Sequence, residues 1–91
     1  MISMEKAAEL AKIGYWNPKV DEKPSLAQLL AEIERRGWNA DSVSLKDGGY
    51  GCDIYWLSAT VQTIYQTFAG KGREDAAADA LIWIKRKGAG K

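Results

Sequence analysis

The sequence predicts an α+β fold, in which an N-terminal helix precedes an α-β-β-β-α core with a three-stranded antiparallel sheet. Apolar residues recur at helical spacing in three segments, and between the last two segments the pattern changes to that of β-strands. Glycine-containing turns separate these segments. The 91 residues, of which 46% are apolar and 27% charged, suffice for one globular domain and are too few for a second core.

The first predicted helix covers residues 3–13. Ser3 suits its N-cap, a loose apolar stripe follows, and Gly14 suits its end. A polar segment between two prolines comes next and is the only linker candidate. These features predict an N-terminal helix and linker at residues 1–23 and an αβββα core domain at residues 24–91.

The second predicted helix has the clearest signals. Ser25 and Gln28 fit a capping box, in which each side chain accepts a hydrogen bond from the other residue's backbone amide. Gly37 suits the left-handed position after the helix, and we expect Trp38 to fold back on the last turn. One buried face is indicated by apolar residues at helical spacing: Leu26, Leu29, Leu30 and Ile33.

Three strands are predicted after this helix. Val43 and Leu45 alternate with polar residues, which indicates an edge strand with one solvated face. After a turn at residues 47–49, residues 50–57 are nearly all apolar, which is typical of a central strand with cover on both faces. The third strand is predicted at residues 60–68, where threonine and aromatic residues are frequent.

The last predicted helix runs from about Glu74 to Lys87. Acidic residues open it and basic residues close it, and both suit the helix dipole. Its predicted buried stripe is rich in small residues, which would let it lie close against the sheet: Ala77, Ala80, Leu81 and Ile84.

The composition excludes several kinds of catalytic and metal-binding site. The chain has no histidine, so it lacks the commonest general base and metal ligand, and Ser-His and Cys-His nucleophile pairs are excluded. Its single cysteine, Cys52, has no partner for an internal disulfide and is expected to be buried and inert. No two acidic residues can be placed across one cleft from the sequence. We therefore expect no enzyme activity, no catalytic residue, no cofactor and no metal.

The charge and hydropathy patterns limit the cellular setting. The net charge of +1 gives no bulk electrostatic reason for nucleic-acid or membrane binding. No apolar run approaches the ~20 residues that span a bilayer, and the N-terminus lacks the features of a signal peptide. We expect a cytoplasmic protein.

The order helix-strand-strand-strand-helix resembles the double-stranded RNA-binding domain, and residues 70–81 look like that family's last loop and alanine-rich helix. The family places a lysine pair at the start of that helix to contact phosphates. Glu74 and Asp75 stand there in this sequence, and carboxylates oppose phosphate binding. Lys71 and Arg73 remain as contacts that the resemblance would supply.

Residues 25–38, 48–56 and 71–81 resemble the phage ABA sandwich domain family, small proteins of bacteriophages and prophages. The shared features are a helix that runs into a glycine-aromatic step, a hairpin with a glycine-rich turn and an aromatic strand, and a helix that opens with acidic residues and alanines. The resemblance implies a three-layer helix-sheet-helix arrangement and a phage or prophage setting, so that the expected location is the cytoplasm of a bacterial host cell. It implies no established activity.

The sheet face away from the two core helices is the first candidate binding surface. The N-terminal helix is the favoured cover for this face, and a dimer mate or an open aromatic face are the alternatives. The third strand adds either Tyr65 or the pair Ile64 and Phe68, because the sequence does not determine its register. The candidate contact residues are Asp53, Tyr55, Leu57 and Tyr65.

The basic C-terminal region is the second candidate surface. Residues 70–91 hold six basic and three acidic residues, a net charge of +3. A solvated helix end matched to the dipole is the structural explanation of the same pattern. The candidate nucleic-acid contacts are Lys71, Arg73, Lys85, Arg86 and Lys87.

Together these observations predict a small non-enzymatic interaction module, monomeric or homodimeric, that binds a host or phage protein. Interference with a bacterial defence system is one form that such binding would take. The alternative is nucleic-acid binding through the basic loop and the end of the last helix.

Overall fold

The computed structural model describes residues 2–17, 23–57 and 62–87 and contains three α-helices and three β-strands in these parts. The helices are α1 (Met4–Lys12), α2 (Leu26–Arg35) and α3 (Arg73–Lys87), and the strands are β1 (Asn39–Ser44), β2 (Tyr50–Leu57) and β3 (Gln62–Gly70). The strands form one antiparallel sheet in the order β1-β2-β3. The predicted α+β class and element order are confirmed. The predicted linker falls largely on residues 18–22, outside the described residues.

Local hydrogen bonds place the ends of α2 as the sequence predicts. The Gln28 amide donates to Ser25 Oγ at 3.2 Å, and the Ser25 amide donates to Gln28 Oε1 at 2.8 Å, which completes the capping box. At the other end, Gly37 has a φ of 93°, a left-handed conformation that favours glycine. The Trp38 amide then donates to the Ile33 carbonyl at 3.3 Å, and the Trp38 side chain is buried. This turn directs the chain into β1.

The core lies between the sheet and the helices. Cys52 and Ile54 of β2 are fully buried there. Ala40 on β1 is opposite Ile54, and Phe68 on β3 is opposite Cys52, so both flank the core on the same face. The inner sheet face, defined as this side, is thus apolar at its centre.

The third helix is surrounded by packed elements. It contacts α1, α2 and the three described strands. Its buried residues span about two-thirds of its circumference at ~100° per residue: Ala76, Ala77, Ala78, Ala80, Leu81, Ile82 and Ile84. The buried surface of α3 is therefore wider than the single stripe expected from the sequence, because Ala78 and Ile82 lie about half a turn from Ala80 at ~100° per residue. These two residues form a second apolar surface that requires cover.

The expectation that α1 lies across the far face of the sheet is wrong. Within the described residues, α1 packs against α3, and none of its Cα atoms lies within 8 Å of a strand Cα. The Ser3 amide donates to Asp75 Oδ1 at 2.7 Å, and Lys6 forms an ion pair with Asp79. Leu10 of α1 is fully buried in the same core cluster as α3.

The physical reason is the chemistry of the two surfaces that α1 could cover. The side of α3 that α1 covers combines the apolar Ala78 and Ile82 with Asp75 and Asp79, whose carboxylates find partners on α1. The far face of the sheet carries Asp41 and Asp53. An apolar helix face gains more free energy from covering the first surface, since burying a charge without a partner is costly. In the described parts, α1, α2 and α3 therefore lie on one side of the sheet, in contrast to the three-layer arrangement that the phage-family resemblance implies.

Candidate functional site

The outer sheet face, the side away from α3, has a row of polar residues across its middle. Asp41 of β1 is directly opposite Asp53 of β2, and Asp53 is directly opposite Thr67 of β3. Tyr55 Oη donates to Asp41 Oδ2 at 3.0 Å, and Thr67 Oγ1 donates to Asp53 Oδ1 at 2.6 Å. Both carboxylates are therefore oriented by neighbouring hydroxyl groups. Each also keeps acceptor capacity for a further donor, since a carboxylate has about four lone-pair sites.

Apolar side chains continue this face toward the β1-β2 turn. Val43 and Leu45 lie over Gly51, where a Cβ would come within 3.2 Å of a methyl group of each residue. The glycine thus lets both side chains rest directly on the sheet. The outer sheet face consequently combines an acidic row, formed by Asp41 and Asp53, with a small half-buried aliphatic patch, formed by Val43 and Leu45.

The serines of β1, which were expected on a solvated face, lie on the side of the sheet that faces the helices. Ser42 and Ser44 lie on the inner side, where each hydroxyl accepts a hydrogen bond of 3.0 Å from the Arg73 guanidinium. Val43 accordingly lies on the outer side with Asp41. The strand starts at Asn39, which is opposite Tyr55 of β2.

The predicted sheet-face residues divide into two groups. Asp53 and Tyr55 lie half-buried on the outer sheet face. The side chains of Leu57 and Tyr65 are outside the described part of the structure. The backbone register places Tyr65 in a bulge, because Gln66 pairs with Ile54 whereas residue 64 pairs with the next residue of β2.

Phe68 does not belong to the outer sheet face, which was one of the two registers left open by the sequence. Its ring centroid lies 5.8 Å from that of Trp83 on α3, so it points to the inner side. Sequence reasoning also missed Asp41 and Thr67. Asp41 stands two residues before Val43. Residues two positions apart on a strand share a face, so this spacing was the signal that could have placed Asp41 on the same face as Val43.

The basic residues proposed for nucleic-acid contact do not form one surface. Lys71 and Arg73 lie at the start of α3, and the exposed Lys85 and Arg86 lie at least 12 residues further on, or ~18 Å along the helix axis. Arg73 is engaged within the fold by β1 and by the ring of Tyr50, 4.8 Å from its guanidinium carbon. The side chain of Lys87 is outside the described part of the structure.

Cys52 is a core residue. Its burial, together with the nearby carboxylates of Asp53 and Asp41, raises the pKa of the thiol to about 12. The thiol is therefore protonated at neutral pH and cannot act as a nucleophile there. The prediction that it is buried is confirmed.

Among the described residues, no cluster of three or more cysteine, aspartate or glutamate side chains is arranged to hold a metal ion. None of the described helices combines the length and the apolar character that crossing a membrane requires. No family model, curated protein or solved structure matches this chain.

Proposed function

We propose that this chain is a non-enzymatic protein-binding module whose outer sheet face contacts the partner. One observation carries the proposal: α1 packs against α3, and no described element covers the outer side of the sheet. Tyr55 and Val43 are half-buried there beside polar groups of defined orientation. Such a combination of an aromatic residue, aliphatic groups and oriented hydrogen-bonding groups is typical of protein interfaces.

The acidic row indicates the charge of the partner. Carboxylates directly opposite each other on neighbouring strands repel, at a cost of roughly 0.2–1 kcal/mol. A lysine or arginine placed between Asp41 and Asp53 would remove this repulsion and would pair with both groups. The partner is therefore a protein that presents a cationic side chain flanked by apolar contact surface.

The resemblance to the phage ABA sandwich domain family supports a host or phage protein as that partner, and a role against a bacterial defence system would be one consequence of such binding. Nucleic acid is the less favoured ligand. The carboxylates of the outer sheet face repel phosphates, and Arg73 is held by Ser42 and Ser44.

The test compares a charge reversal on the outer sheet face with a matched reversal elsewhere. The first variant is Asp41→Arg/Asp53→Arg, and the control is Glu5→Arg/Glu34→Arg, which changes net charge equally at two exposed helix positions. Proteins captured from bacterial lysate by the wild type are produced in pure form, and their binding is titrated at low and high salt. We expect the first variant to lose at least ~30-fold in affinity and the control to lose less than ~3-fold.

Two outcomes would overturn the proposal. Equal affinity of the partner for the two charge variants would show that the outer sheet face is not the interface. Nanomolar binding of an RNA duplex in a gel-shift series, with a steep salt dependence and loss on Lys85→Glu/Arg86→Glu, would replace a protein partner by nucleic acid. Circular dichroism on each variant establishes that it is folded.

A further inference from the structure

A second surface, distinct from the outer sheet face, lies between α1, α3 and β3. It is a cleft of about 220 Å³, called here the β3 cleft. Phe68 of β3 and Ile82 and Trp83 of α3 supply its apolar lining. Its volume is smaller than the ~300–1,000 Å³ of most small-molecule sites. A cleft of this size suits a single large apolar side chain.

The cleft borders an edge of the sheet. β3 is the outermost strand in the order β1-β2-β3, and no described strand pairs with its far side. Its nine residues include no charged residue and no proline, although natural edge strands are usually protected by such residues or by being short. The outward N–H and C=O groups of β3 therefore form a long edge that lacks these protections.

The first helix leaves space beside this edge. No described Cα of α1 lies within 8 Å of a Cα of β3, although both elements pack against α3. A groove between a helix and an edge strand is a geometry in which an extended peptide binds by adding a strand to the sheet.

Charged side chains from α1 and α3 line the rest of the cleft. Lys6 is engaged by both Asp79 and Glu9. Arg86 is 71% exposed, and its ion pair with Glu9 is long, at 3.4 Å. Since such exposed pairs contribute little free energy, Arg86 is the charge in the cleft most readily drawn to a new partner.

We propose that the β3 cleft binds an extended peptide segment of a partner protein. The peptide backbone pairs with the outer edge of β3, and one large apolar side chain enters the cleft against Phe68 and Trp83. An acidic side chain two positions along, which projects to the same side of the added strand, pairs with Arg86. This site is independent of the interface assigned above, because Phe68 lies on the inner side of the sheet.

The test uses synthetic nonapeptides with a framework of alternating threonine and valine. The central residue and the residue two positions later vary over all amino acids, and binding to the full chain is measured by fluorescence anisotropy. We expect peptides with central phenylalanine or leucine followed by aspartate to bind at least ~10-fold more tightly than those with central alanine. In ¹⁵N NMR spectra, the largest shifts should fall on β3 amides and on the Trp83 indole.

Matched variants separate the two contacts. Arg86→Glu should weaken aspartate peptides at least ~5-fold and favour lysine at the same peptide position, whereas the neighbouring exposed Lys85→Glu should do neither. Glu9→Trp places a ring in the cleft and should abolish binding. The same change at the exposed Glu5, which is not part of the cleft, should leave binding intact.

Several outcomes would overturn the inference. These are the absence of binding by every nonapeptide at millimolar concentration, equal affinity of phenylalanine and alanine peptides, and NMR shifts confined to the outer sheet face. A β3-dependent dimer in sedimentation equilibrium would show that a second copy of the chain takes the edge instead. Asp41→Arg/Asp53→Arg should leave peptide binding unchanged, so failure of the outer-face interface and failure of the cleft are distinguishable.

Discussion

Neighbouring residues of β2 lie on opposite faces of the sheet and have different surroundings. On the inner sheet face, Cys52 and Ile54 are fully buried against the helices. On the outer sheet face, Asp53 and Tyr55 are half-buried, and hydroxyl or carboxylate groups of the adjacent strands orient them. This difference indicates that the free energy of folding comes mainly from the inner face, and that the outer face can hold charges because it is not required for the core.

The largest expected difference between the two faces is in the free energy of unfolding after one side chain on each face is truncated. Ile54→Ala should lower the free energy of unfolding by about 2–5 kcal/mol, because it leaves a cavity in a fully buried site. Tyr55→Ala should cost only about 1 kcal/mol, through lost strand propensity and the loss of the hydrogen bond to Asp41 near the surface. Urea denaturation of both variants measures the difference. Equal losses would mean that the outer sheet face is also part of the core.

The parts of the fold that were predictable depend on local signals. The capping box of Ser25 and Gln28 and the stop at Gly37 are formed by residues close in sequence, so α2 was placed correctly. The alternation in β2 likewise placed Cys52 and Asp53 on opposite faces, since a strand's period does not depend on distant contacts.

The docking of α1 was not predictable in this way. It depends on whether α1 gains more free energy by covering one side of α3 or the far face of the sheet. The relevant side of α3 includes Ala78 and Ile82, which lie outside the stripe that helical spacing first identifies. The acidic row was missed for a related reason. Asp41 and Asp53 are 12 positions apart, and only the observed register of β1 against β2 brings them opposite each other.

The buried centre of the inner sheet face around Cys52 also disfavours a charge, and alkaline pH provides a test. The pKa of Cys52 is raised from 9.0 to about 12 in the folded chain. Between these values the unfolded chain loses the thiol proton and the folded chain keeps it, so stability falls as pH rises above 9. From pH 8 to pH 10 the free energy of unfolding should fall by about 1.4 kcal/mol more in the wild type than in Cys52→Ala.

Urea denaturation at the two pH values isolates this contribution, because the cavity left by Cys52→Ala costs the same at both. The pKa of Tyr15 is also raised, mainly by burial, and its contribution is common to both proteins and cancels in the comparison. An identical pH dependence of the two proteins would show that the thiol is accessible to solvent in the folded state.

The smallest expected effect concerns the outer sheet face and has the opposite sign. Asp41→Asn should raise the free energy of unfolding by roughly 0.2–1 kcal/mol at low salt, because it removes the repulsion from Asp53. The asparagine retains an acceptor for Tyr55 Oη, whose 3.0 Å bond is longer than the 2.6 Å bond from Thr67 to Asp53. Asp53→Asn should therefore stabilise less, since it weakens the shorter, charge-assisted bond.

A double-mutant cycle with Asp41→Asn and Asp53→Asn measures the repulsion directly. The gain from the second substitution should vanish once the first is present, and the coupling should decrease from ~0.01 M to ~1 M salt as the charges are screened. Glu34→Gln, at an exposed position on α2, is the control and should change stability by less than ~0.5 kcal/mol. If Asp41→Asn stabilises the fold and also weakens partner binding, the acidic row is kept for recognition at the expense of stability. Destabilisation by Asp41→Asn would mean that the two carboxylates do not repel.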